Sequence, residues 1–259
     1  MYDTYGEVQA TRGKIHEYIG MNIDFYDTGK VKIDMSDYIR NMIDECTENI
    51  TGTAPTPAAE YLFADRKGDP PQKTRLLNYK LLLLRAYLYV YVKYLISISP
   101  FADLYTHVQN YTTDYCKNMI RMLNYLNGTV KDNLVLLTYN IHVIKWYVNA
   151  SFAIYPEFKI HTGCVMNLRD GTIQYIYCKK NINNRSSTKV ELIGANDTYT
   201  IILWTRLFLE SQGYNIDKNI LYQDNNYTTL LEKNGKKISK KWTSALNIRS
   251  FFMTYQIKK

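Results

Sequence analysis

Apolar and polar positions first alternate near the start of the chain. Met21, Ile23 and Phe25 alternate, Asp27-Thr28-Gly29 is a turn signal, and KVKIDM over 30–35 alternates again. This pattern predicts a β-hairpin. The spacing then changes to Tyr38, Ile39, Met42 and Ile43, one face of a helix that Ser36 can cap. Residues 51–73 carry Pro55, Pro57, Pro70 and Pro71 without any period and read as a connector. The most apolar stretch, 74–99, predicts a buried helix. A membrane span is not expected there, because Arg85 and Lys93 would both lie at membrane depth. A second helix is expected around 106–126, stopped by Asn127-Gly128.

Beyond residue 134 the pattern turns to strands. A strand is expected over 143–152 and a hairpin over 163–180 with Arg169-Asp170-Gly171 at its turn. Val190, Ile193, Tyr199, Ile202, Leu203 and Leu207 have helical spacing within 186–213, and Gly213 suits the stop. A short strand over 220–223, a short helix over 227–233 and a last helix within 244–257 complete an α/β order. Trp146, Trp204 and Trp242 read as core anchors rather than base-stacking platforms.

Composition narrows the function classes. The 259 residues allow one large domain or two ordinary ones. Cys46, Cys116, Cys164 and Cys178 stand singly, which excludes a zinc knuckle and argues against a disulfide framework. The first residues lack a basic head followed by an apolar core, so no secretory signal is expected and an intracellular location follows. Net charge is +8 but uneven: residues 1–60 carry eleven acids against five bases, and residues 229–259 carry eight bases against Glu232. The basic run Lys233, Lys236, Lys237, Lys240 and Lys241 suggests a polyanion, nucleic acid first, with a solvated basic surface as the alternative. Asn occurs 22 times and Tyr 25 times against 11 Ala, a bias that fits A/T-rich coding or drift.

Four phrases in this order resemble the ribonuclease H domain of copia-type retrotransposon polyproteins. They are KWYVNASF over 145–152, His161-Thr162-Gly163, SSTKVEL over 186–192, and YQDNN over 222–226. LNYLNGT over 123–129 is similar to the family's link into that domain. Upstream, HEYIGMNIDF over 16–25 and KVKIDMSDYI resemble the end of the reverse transcriptase palm and its primer-grip hairpin, and Ala54-Pro55-Thr56-Pro57-Ala58 is similar to the "TPA" connector. The matched part begins after the "YVDD" strand that holds the polymerase metals, so no template copying is implied. The resemblance thus implies an α/β, ribonuclease H-like mixed sheet with flanking helices, preceded by a β-hairpin and a helical thumb- or connection-like segment. Its divisions fall at 1–60, 61–133 and 134–259.

The family's activity is hydrolysis of RNA in RNA–DNA hybrids by water, with two Mg²⁺ ions held by converging carboxylates. Carried over residue by residue, Glu191 stands at the helix glutamate and Asp224 at the strand-end aspartate, both as metal ligands. Asn149 replaces the shared aspartate, and Asn247 replaces a further carboxylate in the final helix. Asn brings a carbonyl oxygen without charge, so the mutual repulsion of two dications loses much of its offset. The resemblance therefore implies a degenerate copy, weak or inactive as a nuclease. A non-catalytic nucleic-acid-binding module using the basic C-terminal face is the alternative.

Overall fold

A computed structural model describes residues 12–58, 78–86, 104–105, 112–137, 141–151, 160–169, 171–180, 187–226 and 228–230. Asn247, the run from Lys233 to Lys241, Trp242, Lys93, Asp170 and the last predicted helix lie outside the described residues.

The described residues form two four-stranded sheets. The first has the order β1-β2-β3-β4, all antiparallel, from Ile15–Tyr18, Met21–Asp27, Lys30–Asp34 and Leu134–Leu137. The predicted hairpin is β2–β3, turning at Thr28-Gly29 with Gly29 at φ 78°. A second turn precedes it, at Ile19-Gly20, where both residues have positive φ (49° and 71°). Two consecutive left-handed residues make the tight hairpin turn that matches strand twist, which Asn-Gly normally supplies. The β-branched Ile19 hides that signal.

Helix α1 follows as Ser36–Asp44. Ser36 is its first helical residue, and Asp34 performs the capping: its Oδ1 accepts from the Ser36 N–H (2.8 Å) and hydroxyl (2.5 Å). Ile39 and Met42 are buried as predicted. Residues 78–86 are helical, with Tyr79, Leu82, Leu83 and Ala86 buried and Leu81 and Leu84 exposed. Arg85 pairs with Glu45 across from α1 at the solvent edge. Among the described residues no helix is long and apolar enough to cross a membrane.

Helix α2, Thr113–Gly128, completes this unit. Met35, Ile39, Met42, Leu83, Met119, Met122, Leu123 and Leu126 share one apolar cluster. That cluster spans the sequence division at 60, and β4, just past 133, pairs with β3.

The second sheet has the order β7-β6-β5-β8. Strand β5 (Val143–Ser151) pairs antiparallel with β6 (Ile160–Leu168), which turns tightly at Arg169 (φ 55°) into β7 (Gly171–Lys180). Helix α3 (Ser187–Ser211) crosses one face of the sheet, and β8 (Lys218–Gln223) returns parallel to β5. A helical crossover is what a parallel neighbour requires. The chain is thus mixed α/β, with antiparallel and mixed sheets and flanking helices.

Ile144, Trp146, Val148, Cys164 and Met166 face α3 and meet Ala195, Tyr199 and Ile202. Trp146 is fully buried and donates its indole N–H to Asn219 Oδ1 (2.9 Å), while Asn219 Nδ2 donates to the Ile202 carbonyl (3.2 Å). One residue thereby ties β5, β8 and α3. Trp204 differs from the expectation: it is 62% exposed and stacks on Phe208, ring centroids 5.2 Å apart. It lies two residues, about 200°, around the helix from the inward Ile202. Leu207 is likewise exposed.

Candidate functional site

The end of the parallel β5–β8 pair collects the sequence-predicted residues that are described. Val148 stands beside Gln223, so one step further along both strands brings Asn149 beside Asp224. Asn149 and Asp224 are both exposed. Glu191, in the second turn of α3, lies under the same strand ends on the other face of the sheet and is only 7% exposed. Its Oε2 accepts from the Ala150 N–H (3.1 Å) and the Gln223 side-chain amide (3.2 Å).

Gly194 sets how close α3 approaches. A Cβ there would stand 2.9 Å from Thr162 Cγ2 and 3.3 Å from Ala150 Cβ. The glycine lets the helix sit against β5 and β6 one turn after Glu191, within reach of the Ala150 N–H. The turn after β8 is held too. The Asn225 side chain accepts from the Thr228 N–H (3.1 Å), and the Thr228 hydroxyl donates to the Thr188 carbonyl (3.4 Å).

Burial pushes the Glu191 carboxyl above its ordinary value. The bonds from Ala150 and Gln223 pull it back, and the Asp224 charge adds to the rise. The folded chain therefore holds this proton more tightly than the unfolded chain. The stability from that proton is full below the unfolded value and is lost as pH rises through the folded value. Glu191→Gln keeps a carbonyl oxygen for the Ala150 N–H but no titrating group. It is expected to raise the melting temperature at neutral pH and to flatten the decline that sets in as pH rises above the ordinary glutamate value of about 4. Melting curves across that range check it, and an unchanged decline would place the titration elsewhere.

The donor set can be tested against two Mg²⁺ ions. It offers two carboxylates and the Asn149 amide oxygen, and one carboxylate oxygen already takes two protein N–H donors. Among the described residues no group of three or more His, Cys, Asp or Glu could hold a metal ion. Hard dications close together want several converging anionic oxygens, and the described residues do not fit such a pair.

Sequence reasoning missed Gln223, whose amide steadies Glu191, and Gly194. It also missed Tyr147 and Tyr222, which stack on the far face at 4.8 Å and 9° between ring planes. Gln223 and Tyr222 lie inside the phrase 222–226, yet only the pairing register says which of the two turns toward α3 and which away. Comparison with known proteins finds no matching family model and no matching curated protein.

Proposed function

We propose that the second sheet and α3 form a ribonuclease H-like domain within a degenerate copia-type Pol fragment, one that holds nucleic acid and hydrolyses it weakly or not at all. The observation that carries this reading is the placing of Asn149 and Asp224 side by side at one end of a parallel strand pair, with Glu191 of α3 bonded beneath the same strand ends to the Ala150 N–H. In the family the carboxylates come from the first strand of the sheet, its first helix and the end of its fourth strand. β5, α3 and β8 occupy those places in chain order here, which supports the reading. The antiparallel run β5-β6-β7 followed by a parallel β8 supports it as well.

The chemistry follows from the charge. In-line hydrolysis with two dications needs them held near each other, and Asn149 supplies no anion to screen their repulsion. What remains is a scaffold with a buried glutamate, its carboxyl pushed above the ordinary value by burial, and one exposed aspartate. Binding would then rest on lysines. Lys233, Lys236, Lys237, Lys240 and Lys241 would contact phosphates without reading sequence.

This binding half has its own test. In EDTA, affinity for an RNA–DNA hybrid is expected to fall with salt at a log–log slope of about −4, as for roughly five phosphates neutralised. Changing the five lysines to serine should bring the slope close to zero. An unchanged slope would place the nucleic-acid contact elsewhere.

A further inference from the structure

On the face of the second sheet away from α3, β5 presents Lys145, Tyr147 and Asn149 in line, and β8 presents Lys218, Ile220, Tyr222 and Asp224. Tyr147 and Tyr222 stand side by side in the register, 42% and 43% exposed, with their rings stacked nearly parallel. They border a cleft of about 580 Å³ that Tyr175, Tyr177, Asn149 and Asp224 also line. Its floor includes Gly163, where an added Cβ would have no atom nearer than the Asn149 carbonyl oxygen at 4.0 Å.

We propose that this cleft binds an unpaired stretch of single-stranded nucleic acid, with a base stacked against the Tyr147/Tyr222 pair. Two exposed aromatic rings stacked on each other from neighbouring strands leave an outer ring face on which any base can continue the stack, because every base has a π-face. The surroundings are graded to match a nucleotide. Lys145 lies two residues before Tyr147, about 7 Å along the strand, with Lys218 beyond it at the same end. Asn149 and Asp224 lie at the other end. Cations at one end suit phosphates, and an amide with a carboxylate at the other suits the donor edge of a base. The volume falls within the range of small-ligand sites, enough for a nucleoside. This site uses neither the basic run 233–241 nor any hydrolysis, so it does not rest on the preceding reading.

The experiment is fluorescence anisotropy of a labelled single-stranded oligonucleotide in EDTA, with the full chain and two variants. Tyr147→Leu with Tyr222→Leu removes the platform and is expected to weaken binding about tenfold or more. Gly163→Val fills the cleft from its floor while leaving both tyrosines in place. Valine suits a strand and its Cβ meets nothing nearer than the Asn149 carbonyl oxygen at 4.0 Å, so the variant should melt like the parent and yet bind about tenfold more weakly. Tyr147→Phe keeps the ring and should bind like the parent. Unchanged affinity in a folded Gly163→Val variant would overturn the proposal. So would a dimer of the parent, seen by sedimentation velocity, that dissociates in the tyrosine variant, since the face would then belong to a second copy. The salt slope set by the five lysines is read separately, so failure of either account leaves the other to stand or fall alone.

Discussion

Asn149→Asp is expected to make the folded chain less stable without divalent cations and more responsive to them. The new carboxylate would join the exposed Asp224 and the buried Glu191, whose proton affinity is already raised by burial and by the Asp224 charge. Positions 149 and 224 are both exposed, so water screens the repulsion, and a loss of no more than about 1 kcal/mol is expected at neutral pH. A dication attracted by the same charges reverses the sign. Ten millimolar Mg²⁺ should therefore leave the parent's melting temperature nearly unchanged and raise that of Asn149→Asp by several degrees, since binding to the native state adds stability by mass action. Melting with and without Mg²⁺ checks both arms. Equal Mg²⁺ responses in parent and variant would remove position 149 from the account.

Trp146→Ala carries the largest expected loss of stability. The side chain is fully buried and its N–H completes the Asn219 bridge between β8 and α3. Truncating a buried Trp costs about 3–5 kcal/mol. The substitution also leaves Asn219 Oδ1 without its donor, which adds to the cost when that oxygen stays out of water. A domain of ordinary stability has about 5–15 kcal/mol to lose. The second sheet is thus expected to be largely unfolded near 37 °C. Trp146→Phe, which keeps the larger part of the volume but loses the N–H and the pyrrole part of the indole, should fall about 1–3 kcal/mol short of the parent. Urea unfolding of the three chains checks the order, and a Phe variant as unstable as the Ala one would deny the bridge its role.

Much of the second sheet was legible because its strands alternate cleanly. Ile144, Trp146 and Val148 are buried between more exposed neighbours, so β5 announces both its existence and its inward face. The tight turn before Gly171 and the length of α3 were equally plain. Which strands pair was not legible from any one segment. That Leu134–Leu137 joins β3, across a gap of a hundred residues, depends on packing that no local pattern encodes. Trp204 marks a further limit: helical spacing finds an apolar stripe without saying which part of it meets a partner, and Trp204, Leu207 and Phe208 lie outside the inward one.

The candidate site was legible by chemistry and not by electrostatics. Glu191 and Asp224 could be named from their phrases, and the absence of charge at Asn149 could be read directly. That Glu191 is buried and bonded to a backbone N–H and an amide, rather than free in a cleft, needed the fold. The glycine that makes this contact possible, Gly194, has no signal in sequence beyond its place inside a helix.

The most direct measurement is Mg²⁺-dependent cleavage of a labelled RNA–DNA hybrid by the purified chain beside its Asn149→Asp, Asn247→Asp form. The proposed reading, a charge deficit at positions 149 and 247, predicts cleavage by the restored form at least about a hundredfold faster than by the parent. A parent that cuts as fast as the restored form would contradict the account.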